Sequence, residues 1–123
     1  MVGQDQGRVE TRTSGGHAAV KYHVVVLPRA KRDSQDIDDY LSAHNPAVAD
    51  RFFENLQATL DLQAALATPG SPWISRNPAL VDLRWTRVKG FANYVIFLRV
   101  CGHILEVVRL LHAAQDLEAA LSR

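Results

Sequence analysis

The sequence predicts an α+β domain in which an antiparallel helical hairpin packs on one small antiparallel sheet. Three observations lead there. Apolar residues recur at spacings of three and four between Pro28 and Thr68. The period then shortens to two from Val81 onward. Breaker steps, Asn45-Pro46 in the first half and Cys101-Gly102 in the second, fall where tight turns would join neighbours.

The chain of 123 residues suits one domain and is too short for two. With 47% hydrophobic and 22% charged residues it has a globular composition. A net charge of +1 points to neither nucleic acid nor membrane. The single cysteine, Cys101, excludes an intrachain disulfide and a thiolate-rich metal site, and fits a reducing cytosol. No apolar run approaches the roughly 18 residues of a membrane helix. The first residues lack the apolar core of a signal peptide. The expected location is cytoplasmic.

Residues 1–19, "MVGQDQGRVETRTSGGHAA", are polar, Gly-rich and aperiodic, which reads as a flexible N-terminal arm. The domain is expected over residues 20–123. "KYHVVVLP" is a β-branched strand ended by Pro28, whose missing N–H is harmless in the first turn of a helix. Ala30, Asp33, Ile37, Tyr40, Leu41 and His44 then mark one face of an amphipathic helix. Asn45 caps a second helix that begins at Pro46. Its broad apolar stripe runs through Ala49, Phe52, Phe53, Leu56, Leu60 and Ala64, with Gln63 at the margin. "PGSPWISRNP" is a loop on its density of breakers, pinned to the body by Trp73 and Ile74.

A three-stranded meander closes the chain. Val81, Leu83 and Trp85 alternate with polar residues toward Gly90, and "NYVIFLRV" is apolar enough for a central strand. Cys101-Gly102 is the expected two-residue turn into "HILEVVRLLH". "AAQDLEAALSR" forms a last short helix or a tail. The pairing of the first strand stays open.

That turn sets a register and hence two faces. Tyr94, Ile96, Leu98, Val100, Leu105, Val107, Arg109 and Leu111 share the more apolar face, which should meet the helices. Arg109 there would need a partner, because an unpaired buried charge is costly. The opposite face carries Val95, Phe97, Ile104, Val108 and Leu110, with no further segment expected to cover them. Such a patch marks a partner site. Phe97, Ile104, Val108 and Leu110 are therefore the candidate docking residues.

Catalytic signatures are sparse. The sequence holds no G-x-S-x-G elbow, phosphate loop or dinucleotide fingerprint. The five histidines lack metal-ligand spacing, so no metal or cofactor is expected. Asp36, Asp38 and Asp39 read as a solvated helix face. Arg84, Arg87, Lys89, Arg99 and Arg109 give the meander a basic excess that suits either solvent or an acidic partner. His112 is read first as a hydrogen-bonding cap at the strand end. Asp116 suits the free N–H groups that open the last helix.

The succession "VVVLPRAKRDSQDIDDYL", "NPAVADRFFENL", "YVIFLRV" and "EVVRLLHAAQD" resembles the ParE toxins of the RelE/ParE superfamily of bacterial type II toxin–antitoxin systems. The resemblance spans Lys21 to about Leu121. It implies a growth-inhibiting toxin that poisons DNA gyrase by binding, without catalysis, and that a ParD-like antitoxin neutralises in a hetero-oligomer. No sequence-specific contact with nucleic acid is implied. Phe97, Ile104, Val108 and Leu110 become candidate antitoxin contacts. Arg84, Arg87, Lys89, Arg99 and His112 become candidate target contacts, with Arg109 and Asp116 as structural anchors. The alternative on the same fold is a RelE-like, ribosome-dependent mRNA endoribonuclease; a weaker one is an inactive or scaffold member. The ribonuclease set is incomplete, since no Tyr follows Tyr94 and no basic residue lies between Arg109 and Arg123. Gln115 stands where ParE toxins often carry Arg, and the loop from Thr68 to Ala79 is long and Pro-rich.

Overall fold

A computed structural model describes residues 21–123, so the expected arm and the domain start at residue 20 lie outside the described residues. The chain runs β1 (His23–Val26), α1 (Pro28–His44), α2 (Pro46–Ala65), β2 (Ser71–Pro72), a 3-10 turn (Pro78–Leu80), β3 (Arg84–Val88), β4 (Phe91–Cys101), β5 (Ile104–His112) and α3 (Leu117–Ser122). The α+β class is as expected. The sheet is larger than expected, with five strands in the order β1-β5-β4-β3-β2. β1 lies parallel to β5: the α1–α2 hairpin carries the chain from β1 to β2 at the opposite edge, and β3 and β4 bring it back to β5. The two-residue β2 arises inside the segment expected to be plain loop.

Local chemistry sets the helix ends. Pro28 and Pro46 each open a helix, and the Asn45 side chain accepts from Ala47 N–H at 3.1 Å and Val48 N–H at 3.4 Å. Asn45 thus ends α1 and caps α2, which folds the two helices back on each other. Ala30, Phe52, Leu60 and Ala64 then pack on Val88, Ile96, Leu98, Leu105, Val107 and Leu110 of the sheet. The phenyl ring of Phe52 meets Phe53, Phe91 and Tyr94 edge-on, with centroids 5.0, 5.1 and 4.9 Å away.

The hairpin register corrects the sequence reading. Cys101 pairs with Ile104, so the two turn residues are Gly102 and His103, with Gly102 at φ 60°. Val100 pairs with Leu105 and Arg99 with Glu106. Near the turn the expected faces survive, because the register moves by an even number of residues. Further on, Leu98 pairs with Val107 but Phe97 with Arg109, leaving Val108 as an extra residue in β5. A bulge of this kind reverses the alternation beyond it. Leu110 therefore joins the helix-side core and Leu111 the opposite one, the reverse of the expectation.

The second face is covered. Val95, Phe97 and Leu111 pack with Leu80 and Leu83 from the Pro-rich segment and Ala120 from α3, flanked by Trp73, Trp85, Val108, Leu117 and Leu121. Trp73 stands edge-on against Phe97 at 5.1 Å. Its indole N–H donates to Glu118 at 3.1 Å, and Ser75 donates to the same carboxylate. The expected strand from Val81 starts only at Arg84, because Pro78–Leu80 turns the chain inward to seat Leu80 and Leu83. Ile74, expected to pin this segment, is 87% exposed; Trp73 alone of that pair does so.

Gly70 fixes where the cover begins. It sits at φ +60°, its N–H donates to buried Gln63 at 2.6 Å, and a Cβ there would lie 2.8 Å from the Trp85 carbonyl oxygen. Gly70→Ala is expected to lower stability by about 1–3 kcal/mol, through left-handed strain plus the backbone clash, read from the midpoint of urea unfolding. Phe97→Ala, at a fully buried site, should cost about 3–5 kcal/mol in the same measurement; a loss near zero would mean that the cover does not close on it.

Candidate functional site

One buried charged constellation organises the molecule. Arg109 is 8% exposed, and its guanidinium grips Asp33 of α1 with two parallel bonds, Nε to Oδ2 at 2.7 Å and Nη2 to Oδ1 at 3.0 Å. Its Nη1 donates to the Ala120 carbonyl of α3 at 3.0 Å. Asp33 Oδ2 also accepts from the backbone N–H of Leu110 at 3.0 Å, next to the β5 bulge. One ion pair thus joins α1, β5 and α3. Asp33 lies within the apolar stripe of α1, and a carboxylate inside such a stripe was the sequence signal for this pair. Asp116 Oδ1 caps α3 by accepting from Ala119 N–H at 3.1 Å.

The proposed docking residues do not form one patch. Phe97 is fully buried under the Pro-rich segment, and Leu110, 2% exposed, lies under the helices. The expectation that the chain leaves them uncovered is corrected. The cause is twofold: the bulge turns Leu110 inward, and Trp73, Leu80 and Leu83 supply the cover that the breaker-rich sequence concealed. Ile104 and Val108 stay half-buried. Val108 lines a shallow apolar groove of about 280 Å³, shared with Leu27, Pro28, Leu80 and Leu121 and bordered by Arg29 and Arg109.

The basic residues disperse. Arg84 and Arg87 pair with Leu98 and Val95, on opposite faces of the sheet. Arg84 donates to the carbonyls of Pro69 at 2.5 Å and Gly70 at 3.1 Å, clamping the chain as it leaves α2. Arg87 donates to the Ala92 carbonyl at 2.6 Å and lies 5.5 Å over the Trp85 ring. Lys89 is exposed beside the β3–β4 turn, where its backbone N–H is held by Thr59 Oγ1 at 3.0 Å. Arg99 reaches Glu106 at 3.9 Å, a half-exposed pair worth little. His112 Nδ1 accepts from Ala114 N–H at 3.0 Å, and its ring stands edge-on to Tyr94 at 4.9 Å. Burial pushes the Tyr94 phenol above its usual range, and nearby Tyr40 adds to the shift. Among the described residues, no three His, Cys, Asp or Glu side chains come close enough to hold a metal. Sequence reasoning also missed Glu118, whose role depends on a Trp and a Ser more than forty positions away.

A mixed sheet with a helical hairpin on one face, a loop-and-helix cover on the other and one buried Arg–Asp anchor defines a single-sheet α+β protein. The sequence profile described as "ParE toxin of type II toxin-antitoxin system, parDE" matches residues 24–117. The chain belongs to this family. Its fold is similar to a chain of the chromosomal ParDE TA system from P. aeruginosa, with TM-score 0.61 and 16% identity, covering 75% of this chain and 96% of that one. No curated protein matches it. Among the described residues, no helix is long and apolar enough to cross a membrane.

Removing one member of the ion pair strands the other. Asp33→Ala is expected to cost about 3–5 kcal/mol, whereas the double replacement Asp33→Leu with Arg109→Met should cost clearly less than the sum of the two single changes. A double-mutant cycle by chemical denaturation checks this; strict additivity would show that the pair is not coupled.

Proposed function

We propose that the chain is a cytoplasmic toxin that binds DNA gyrase and blocks it without catalysis, and that a ParD-like antitoxin neutralises it in a hetero-oligomer. The observation that carries this reading is the ParE profile across residues 24–117. The placement of the basic side chains agrees with it. Cleaving RNA calls for a base, an acid and cations gathered on one phosphate. Here Arg84 is spent on a structural clamp, Arg87 lies on the other face, and His112 caps a strand end.

Within this reading, exposed Arg87 and Lys89, with Arg99 and His112, supply target contacts, while Arg84 acts from within by fixing the chain after α2. Antitoxin contacts fall to Ile104 and Val108, which keep accessible surface, while Phe97 and Leu110 belong to the two cores. Arg109 and Asp116 act as anchors.

The test is a pair of assays on purified protein. The expected result is inhibition of gyrase supercoiling with accumulation of cleaved DNA, reversed by the co-expressed antitoxin. Ribosome-bound message should stay intact. Message cleavage with gyrase untouched would replace this reading with the ribonuclease one.

A further inference from the structure

We propose that Ile74 and Val81, displayed on the loop over residues 73–83, are the apolar anchors that seat the chain in a pocket of its protein target. The inference rests on the toxin reading above and adds which residues grip the target and what surface they fit. Ile74 is 87% exposed and Val81 74%, the two most exposed large apolar side chains among the described residues. Neither belongs to a core, yet each follows a residue that packs inward: Trp73 precedes Ile74 and Leu80 precedes Val81. The loop thus sorts its apolar residues, with Trp73, Leu80 and Leu83 toward Phe97 and these two toward solvent.

The loop is held in place from three sides. Its ends close through Trp73 N–H, which donates to Leu83 O at 2.8 Å and extends the β2–β3 pairing. Within it, Asn77 N–H donates to Ser75 Oγ at 3.0 Å, and Asn77 Oδ1 accepts from Ala79 N–H at 3.0 Å. Toward α3, Asn77 Nδ2 donates to Ser122 Oγ at 3.3 Å, and Glu118 takes the bonds from Trp73 and Ser75. Ile74 and Val81 take part in none of these side-chain bonds, so they add nothing to the closure of the loop. An apolar side chain carried on so tied a backbone has little ordering left to lose on binding, which is how preorganisation raises affinity.

Charge and area select the occupant. Residues 73–83 carry one cation, Arg76, and one carboxylate, Asp82. A loop of balanced charge has no hold on DNA phosphates or on an anionic membrane, so its occupant is a protein. A second copy fits poorly, because two convex loops that meet bury far less than the roughly 1,200 Å² of a stable interface. The surroundings point to the target. Arg87 pairs with Val95, and Arg99 follows Val95 and Phe97 in the alternation of β4, so both lie on the face that the loop covers. These are two of the target contacts proposed above, and the anchors rise on their side of the sheet. The complementary surface is a small apolar pocket with carboxylates on its rim.

Inhibition of supercoiling by the purified chain, with gyrase as the probe, tests the assignment. The double variant Ile74→Ser with Val81→Ser should inhibit at least about tenfold more weakly. Its unfolding midpoint and its affinity for the co-expressed antitoxin should stay unchanged. Leu62→Ser, at an exposed leucine of α2, should leave inhibition unaltered. Full inhibition by the double variant overturns the anchors and leaves the toxin reading intact. Equal weakening by Leu62→Ser also overturns them, since the loss of any exposed apolar group would then suffice. Weakened antitoxin binding assigns the loop to the antitoxin, and a concentration-dependent dimer that the double variant abolishes assigns it to a second copy; either result overturns the inference. An unaltered chain that leaves gyrase untouched overturns the toxin reading, and this inference with it.

Discussion

The Asp33–Arg109 pair is the constraint on which the two-sided architecture depends. Bidentate pairing fixes Arg109 in direction as well as position. Because Asp33 also holds Leu110 N–H, the carboxylate stabilises the backbone where β5 departs from regular pairing. The bulge then decides which side every later residue of β5 occupies. Without it Leu110 would face the Pro-rich cover and Leu111 the helices, and His112 would leave Tyr94. The pair therefore acts less as a source of net stability, which buried ion pairs seldom provide, than as a device that selects one register.

Two cores follow from this register, and they differ in how they are closed. The helix side is sealed by long, capped elements with continuous apolar stripes. The cover side is sealed by short ones: a 3-10 turn of three residues and an α3 of six, too short to persist alone. Directional bonds compensate. Glu118 receives Trp73 and Ser75, Arg109 holds Ala120, and Asn77 reaches Ser122. Each bond links the Pro-rich segment or β5 to α3, so the cover behaves as one tied unit. The same unit encloses Phe97, which removes the broad apolar patch that the strand pattern alone would place on the surface.

Regular elements were legible in the sequence because their signals are local. The Asn45-Pro46 junction, both helices and the apolar β4 follow from spacing and capping within a few residues. What escaped depends on distant partners. Val108 is β-branched and apolar like its neighbours, and nothing in its type marks it as the extra residue. The hairpin register slipped by two residues because Cys101 rather than His103 was taken as a turn residue beside Gly102. Ile74 and Trp73 are both large and apolar, but only the indole has an N–H for Glu118. The basic excess of the meander was visible, and its division between two faces was not, because that needs the β3–β4 register.

Enclosing both faces of the sheet moves any docking surface to rims and edges. A wide apolar face binds by area, tolerates many partners and threatens self-association. An edge binds by backbone pairing in one direction and one register, with neighbouring charges choosing among strands. Here the cleft beside Val26 and Phe53 carries both signs of charge on its rim, Lys31 and Asp38, and the groove at Val108 is bordered by Arg29 and Arg109. Two small apolar clefts with charged rims thus stand where the strand pattern alone would place one broad oily face.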